Sequence, residues 1–245
     1  MVQDKGKIEV GNSEQVRDLF DRIAPVYDRM NDWLSLGSHR IWKQMAVKWS
    51  GASPGARGLD LCCGSGDLTR LLAQAIGRSG EAVGVDFSRQ LLAVARDRKL
   101  PFTIPTAPIT WVEADVLDLP FPDDSFDCAT MGYGLRNVAD IPRSLAELRR
   151  VLKPGAAAAI LDFHRPGQTG WQQFQRWYLD TIVVPTARSF GFQAEYAYLN
   201  PSLEKFPTGP EQVAIARNVG FARAKHYTIA GGMMGVLVVT VGCGE

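Results

Sequence analysis

Residues 59-LDLCCGSGDLT-69 decide how this chain is read. An apolar run enters a Gly-x-Gly turn and continues into residues that favour a helix, the pattern of a strand, a tight loop and a helix N-terminus. A loop of this kind brings backbone close to a bound ligand. A dinucleotide loop needs a third glycine where the helix packs against the sheet, and Thr69 stands there instead. A phosphate-cradling loop needs a Gly-Lys-Ser/Thr ending, which is missing. Asp60 and Asp67 flank the turn, and two carboxylates repel phosphate but favour a cation. The loop therefore predicts a ligand with positive charge and no phosphate.

Around this segment, strands and helices alternate. Gly58–Cys63 reads as a strand and Leu68–Ile76 as a helix closed by Gly77. Ala82–Phe87 is a second strand, with Ser88 capping the next helix. Ile109–Ala114 and Phe126–Tyr133 are the third and fourth strands, followed by a helix capped by Asp140 with Pro142 in its first turn. Ala156–Phe163 is a fifth strand. The helix Glu211–Asn218 precedes a closing hairpin, Ala224–Ala230 and Val236–Val241. Such alternation predicts a mostly parallel α/β sheet with helices on both faces and one antiparallel strand at its end. Before the first strand, Asn12 and Gln15 form a capping box for a helix that Pro25 stops or kinks, and a second helix runs from about 38 to 49 with Trp42 and Trp49.

One domain accounts for all 245 residues. Within it, residues 12–50 are expected to form a helical substrate cap, and 163–208 an insertion serving as a substrate lid. That insertion holds ten of the 23 aromatic side chains, which pack a small subdomain, cover an apolar substrate, or both. With 27 basic and 26 acidic residues the chain lacks the basic excess of a nucleic-acid binder. The clusters Arg96, Arg98, Lys99 and Arg149, Arg150, Lys153 read as solvated faces. Cys62, Cys63, Cys128 and Cys243 have neither metal-like nor redox spacing, and the first three fall in expected strands. No metal is expected. The N-terminus has no apolar signal core, and the uncharged stretch 227–244 breaks at Gly231-Gly232, as two strands rather than a membrane span would. A cytoplasmic protein is expected.

S-adenosylmethionine meets the loop's constraints, having an ammonium, a sulfonium, a ribose diol and an adenine but no phosphate. Gly64 and Gly66 let backbone approach its methionine portion. Asp86, 20 residues after Gly66, is placed to accept from both ribose hydroxyls. Asp115, at the end of the third strand, is placed to accept from the adenine amino group between the apolar walls Phe87 and Val116. An aspartate at a strand end is often only a helix cap, but three at successive ends of one sheet edge point to a site.

Several segments occur together and in order: FDRIAPVYDRMNDWLSLGSHRIWK (20–43), LDLCCGSGDLT (59–69), ADVLDLPFPDDSFDCATMGYGLRNV (114–138), ELRRVLKPG (147–155) and EYAYLNPSLEKFP (195–207). Over nearly the whole length the chain resembles the ubiquinone/menaquinone biosynthesis C-methyltransferases. LCCGSGD (61–67) is most similar to the cyanobacterial and plant branch acting on 2-phytyl-1,4-naphthoquinone. The resemblance implies a class I, Rossmann-like S-adenosylmethionine-dependent methyltransferase with a seven-stranded sheet, and S-adenosylhomocysteine as product. The cofactor set then comprises Asp60, Gly64, Gly66, Asp67, Thr69, Asp86, Phe87, Asp115, Val116 and Gly132.

The implied substrate is a prenylated 1,4-naphthoquinol, demethylphylloquinol or demethylmenaquinol. A quinone ring is too electron-poor to attack a methyl group, whereas a deprotonated quinol pushes density onto the adjacent ring carbon. Its hydroxyl titrates near about 10, so a nearby cation should help to ionise it. Arg136 in GYGLRNV follows the fourth strand and is the first candidate, with Asn137 positioning a water or the oxyanion. The alternative for Arg136 is an ion pair with a carboxylate such as Asp140. Tyr27 and His39 are the N-terminal candidates, His39 for proton transfer or merely for tying a helix end to the core. His164, where the family more often has serine, is given no role. The partners expected are a lipid-soluble quinol and a transiently visited membrane surface, with no nucleic acid and the question of a homo-oligomer open. A benzoquinol substrate, a soluble phenolic acceptor and a non-catalytic scaffold are the competing readings, and a nicotinamide dehydrogenase is opposed by Thr69 and the acidic loop.

Overall fold

The computed structural model describes residues 37–98, 106–165 and 199–243, together with Gln15, Arg17, Asp18, Asp21, Trp177, Thr181 and Pro185. Seven strands form one sheet in the order β3-β2-β1-β4-β5-β7-β6. They are β1 (Arg57–Leu61), β2 (Glu81–Asp86), β3 (Ile109–Glu113), β4 (Phe126–Gly132), β5 (Leu152–Phe163), β6 (Arg223–Ile229) and β7 (Met234–Thr240). Strands β1 to β5 pair in parallel, and β7 runs antiparallel to both β5 and β6. The helices are α1 (His39–Trp49), α2 (Asp67–Ile76), α3 (Arg89–Asp97), α4 (Ile141–Val151), α5 (Leu199–Lys205) and α6 (Gly209–Asn218). The expected class I architecture and its terminal antiparallel strand are both present. The uncharged stretch near the C-terminus is β6, a short 3-10 turn at Ala230–Gly232 and β7. No helix among the described residues is long and apolar enough to cross a membrane.

Strand alternation sorts the core. Leu59 and Leu61 join Leu145, Leu148 and Val151 of α4 in the larger cluster, while Leu68, Leu72 and Ile76 of α2 pack with Ala82 and Cys128 on the other face. Asp60, between the two leucines, therefore points toward α2. Phe206, inside the expected insertion, is buried in the larger cluster. Residues 166–198 and the N-terminal helix otherwise lie outside the described residues, so the lid and most of the cap go untested. Trp42 and Trp49 pack at the edge of a cluster with Ala46, Leu161 and Val236, and Trp49 meets Tyr227 with ring centroids 4.9 Å apart.

Two expectations need correcting. Cys62 and Cys63 are not in a strand: β1 stops at Leu61, because Cys62 adopts a left-handed φ of 51° and turns the chain into the loop. Asp115 does not end β3, which closes at Glu113. In the basic clusters Arg96, Arg98 and Arg149 are exposed, as expected, and Arg98 pairs with Asp67 and Arg150 with Glu147 and Asp123.

The two loop glycines are required for different reasons. Gly66 has φ +80°, and a Cβ there would lie 2.3 Å from the Trp111 ring; Gly64 has φ +55° and no heavy atom within 4 Å of such a Cβ. Gly66→Ala should therefore cost about 2–3 kcal/mol of stability through strain and overpacking. Gly64→Ala should cost only about 1–2 kcal/mol, the left-handed backbone penalty, yet lose the larger share of cofactor affinity. Urea unfolding and calorimetric titration of both variants check this; a Gly64→Ala protein that binds as tightly as wild type would remove Gly64 from the cradle.

Candidate active site

Strand order reverses between β1 and β4, and at this switch point the carboxyl ends of the strands open a crevice. An open cavity of about 940 Å³ lies there, lined by the loop after β1, the ends of β2 and β4, and the segments 114–117 and 137–139. Of the expected cofactor set, Asp60, Gly64, Asp67, Asp86, Phe87, Asp115, Val116 and Gly132 line the cavity, as does Asn137. Thr69, Gly66, His39 and Arg136 are not among its described lining residues, and Tyr27 lies outside the described residues.

Asp86 is the hub. Its carboxylate is buried and accepts from the Gly64 amide at 2.8 Å and the Ser88 amide at 2.9 Å, locking the glycine loop to the start of α3. Burial pushes it up to about 6 despite those bonds. The N-terminal segment reaches the same corner: Ser88 Oγ donates to Asp21, and the Arg17 guanidinium lies 5.5 Å from the Phe87 ring centroid. Asp115 accepts from the Leu117 amide at 2.9 Å through Oδ1.

Asp60 is fully buried and accepts from Thr69 Oγ1 at 2.6 Å and Thr130 Oγ1 at 2.8 Å. Thr69 thus acts on the site through Asp60, because its hydroxyl is spent on that carboxylate. Burial pushes Asp60 up to about 7, against the pull of both hydroxyls and of Lys43, with Asp86 adding to the rise. A folded-state value above the unfolded one means that Asp60 favours the fold most below about pH 4, and that this contribution is lost as pH rises toward 7. Asp60→Asn should therefore show a smaller fall in urea midpoint between pH 5 and pH 8 than wild type, and equal falls would refute the raised value.

Asp67 was expected to face a cationic ligand, and the structure assigns its charge elsewhere. Lys43 Nζ lies 3.0 Å from its Oδ2 and Arg98 Nη1 2.5 Å from its Oδ1. Burial opposes its ionisation, but Lys43, Arg98 and His39 together hold it below the ordinary carboxylate value. His39 is buried at the start of α1 and contributes to that field.

Arg136 lies in the 3-10 turn Leu135–Asn137 and is buried. Its Nη1 donates to Asp162 Oδ1 at 2.5 Å and to the Tyr133 carbonyl at 2.8 Å, and its backbone amide donates to Asp162 Oδ2 at 3.1 Å. The ion-pair partner is Asp162, not Asp140, whose carboxylate instead caps α4 by accepting from the Arg143 amide. Asn137 Nδ2 donates to the Tyr133 carbonyl at 3.2 Å, while its buried Oδ1 has no donor among the described residues. A ligand with hydroxyl and ammonium donors fits this orphaned acceptor, the carboxylates and the open space at Gly64. No group of three or more His, Cys, Asp or Glu among the described residues is arranged to hold a metal ion.

The sequence reading missed Lys43 and Asp162. Lys43 carried a signal, being one turn from His39 on the buried face of α1, where lysine seldom sits unpaired. Asp162 lies at the carboxyl end of β5, the placement that singled out Asp86.

Comparison with known proteins agrees with this geometry. Residues 8–240 match the model of the ubiE/COQ5 methyltransferase family. A relative named 2-phytyl-1,4-naphtoquinone methyltransferase, from Trichormus variabilis, is 63% identical over 93% of this chain and 99% of its own. A chloroplastic relative from Arabidopsis thaliana, named 2-phytyl-1,4-beta-naphthoquinone methyltransferase, is 51% identical over 92% of this chain and 87% of its own. Among solved structures, a SAM-dependent methyltransferase from Aquifex aeolicus superposes with a TM-score of 0.62 at 16% identity, covering 87% of this chain and 97% of that one, a likeness of fold. The chain belongs to the ubiE/COQ5 methyltransferase family and is an S-adenosylmethionine-dependent methyltransferase.

Proposed function

We propose that this protein methylates a ring carbon of a prenylated 1,4-naphthoquinol, the final step in making phylloquinone or menaquinone. The observation that carries this reading is the 63% identity, over 93% of the chain, to a relative named for that naphthoquinone substrate. When bound, S-adenosylmethionine supplies an electrophilic methyl group on a sulfonium. Asp86 would hold the ribose diol and Asp115 the adenine amino group, with Phe87 and Val116 as walls. Asp60, near its own midpoint at neutral pH, would ionise fully beside a positive ligand. The turn 135–137 brings Asn137 to the cavity wall, where its Oδ1 can orient a quinol hydroxyl or a water. Arg136, with Asp162 neutralising its charge, acts by fixing that turn. Much of the catalysis is then alignment of the ring carbon with the methyl group.

The tail of such a quinol resides in a bilayer, so the protein would visit the membrane surface as a peripheral enzyme. Ile41 on α1 and Trp177 are large apolar side chains left exposed among the described residues. The test is methyl transfer from labelled S-adenosylmethionine to 2-phytyl-1,4-naphthoquinone with and without dithionite, beside a benzoquinol control. Product is expected only after reduction and only from the naphthoquinol. No product despite tight cofactor binding would move the assignment to a soluble acceptor or a scaffold.

A further inference from the structure

Strand β3 closes at Glu113 and β4 opens at Phe126, so the residues between them are fixed by something other than the sheet. The first of them, 114–117, form one wall of the cavity. Asp115 begins a tight turn there: its carbonyl accepts from the Asp118 amide at 3.1 Å and its Oδ1 from the Leu117 amide at 2.9 Å. One face of α4 grips the backbone that follows. Arg143, Glu147 and Arg150 stand at i, i+4 and i+7 and so share that face. Arg143 Nε donates to the Leu117 carbonyl at 3.0 Å. Leu119 is held at both of its main-chain groups, its amide donating to Glu147 Oε2 at 3.0 Å and its carbonyl accepting from Arg150 Nη2 at 3.0 Å. Arg150 Nη1 also donates to the Phe121 carbonyl at 2.7 Å, and the guanidinium pairs twice with Glu147, at 2.9 and 2.8 Å. Arg150 holds Glu147 below the ordinary carboxylate value, against partial burial and with help from the Leu119 amide. With side chains 31% and 20% exposed, this ion pair adds little to stability through its charges alone. What it does is fix the direction of the peptide groups it touches.

We propose that Arg143, Glu147 and Arg150 are positioning residues for the cofactor's nucleobase: they hold segment 115–121 in the shape that presents the Asp115 carboxylate to a purine 6-amino group, and so set the preference for adenine over a purine lacking that group. None of the three is among the cavity's described lining residues, so they act through the backbone of Leu117 and Leu119. With Oδ1 of Asp115 committed to the Leu117 amide, Oδ2 is the oxygen left for a ligand. A rotation of the Leu117 peptide would therefore carry the acceptor away from the base. An ionised carboxylate only accepts hydrogen bonds, which is why the amino group is what it reads. The same helix starts directly after 137–139, which also line the cavity, and Asp140 caps it there. One rigid element thus fixes two walls of the site. The inference rests on the S-adenosylmethionine assignment and on Asp115 as its adenine contact.

The test compares S-adenosylhomocysteine with its 6-deamino analogue, in which hydrogen replaces the purine amino group. Dissociation constants are measured by calorimetry on the full-length protein as wild type, Arg143→Met, Arg143→Lys and the paired variant Glu147→Leu/Arg150→Met, each checked for folding by thermal melting. Wild type should prefer S-adenosylhomocysteine by roughly tenfold or more, the effect of one hydrogen bond to a charged acceptor. The paired variant removes both charges together and should reduce that preference to about threefold or less, while the analogue's own affinity stays within about threefold of wild type. Arg143 is exposed, so Arg143→Met should fold, and it should lower the preference by about threefold. Arg143→Lys should restore it, because an ammonium can also donate to the Leu117 carbonyl. Equal losses for both ligands would make this helix face merely structural and overturn the proposal. An unchanged preference in folded Arg143→Met would overturn it too, even if the paired variant fails to fold. Wild type binding both ligands equally would take Asp115 from the adenine, and the proposal with it. Wild type binding neither would instead overturn the cofactor assignment itself.

Discussion

Replacing Asp86 by alanine should lower the affinity for S-adenosylhomocysteine by about 100-fold or more, yet leave a protein that still folds at pH 8. On the proposed contact, the affinity term would be two charge-assisted hydrogen bonds to the ribose diol, each worth about 1.5–3 kcal/mol. The stability term is a near cancellation. Removing the carboxylate leaves the buried Ser88 amide and the part-buried Gly64 amide without their acceptor, at up to about 1–3 kcal/mol each. It also relieves the burial of a charge whose carboxyl has been pushed up from 3.8 to about 6, a relief of about 3 kcal/mol at pH 8. Because the raised value makes the native carboxylate least favourable at high pH, the variant should look more destabilised at pH 5 than at pH 8. Urea unfolding at both values, with calorimetry at pH 8, separates the two effects. Retained affinity in a folded variant would take the ribose contact away from Asp86.

The second large effect concerns Arg136 and Asp162. Either alanine substitution strands one buried charge and should cost about 3–5 kcal/mol. The paired variant Arg136→Met/Asp162→Leu should recover much of that loss, because two apolar side chains replace two desolvated ions. Recovery stays incomplete, since Asp162 also accepts from the Arg136 and Phe163 amides. Turnover should remain at least about 100-fold down in the refolded pair, while S-adenosylhomocysteine affinity stays within about threefold, because neither side chain lines the cofactor cavity. Stopped assays for kcat and denaturant unfolding on the three variants decide the matter. A paired variant with wild-type turnover would reduce Arg136 to a structural residue.

These two pairs also mark how far the sequence could be read. Asp86 was legible because its position depends on local facts: a strand of known length, a glycine loop, and 20 residues between them. The helix caps Ser88 and Asp140 were legible for the same reason, since a cap bonds within its own turn. Arg136 was found as a residue, but the ion pair weighed as its alternative was placed with a carboxylate such as Asp140, four positions along the chain, when Asp162 supplies the charge from the neighbouring strand.

By itself the sequence determined the strand and helix alternation, the sheet edge that carries the site and the non-phosphate cofactor, because periodicity, turn residues and motif spacing act over a few residues at a time; the family came from the resemblance of its segments. The tertiary structure decided which charges meet. Asp67 is neutralised by cations from α1 and from the end of α3, 24 and 31 positions away in either direction. Asp60 is held by a hydroxyl nine residues on and another 70 residues on. Strand pairing and helix packing set those distances, and electrostatic energy depends on distance and burial rather than on order along the chain.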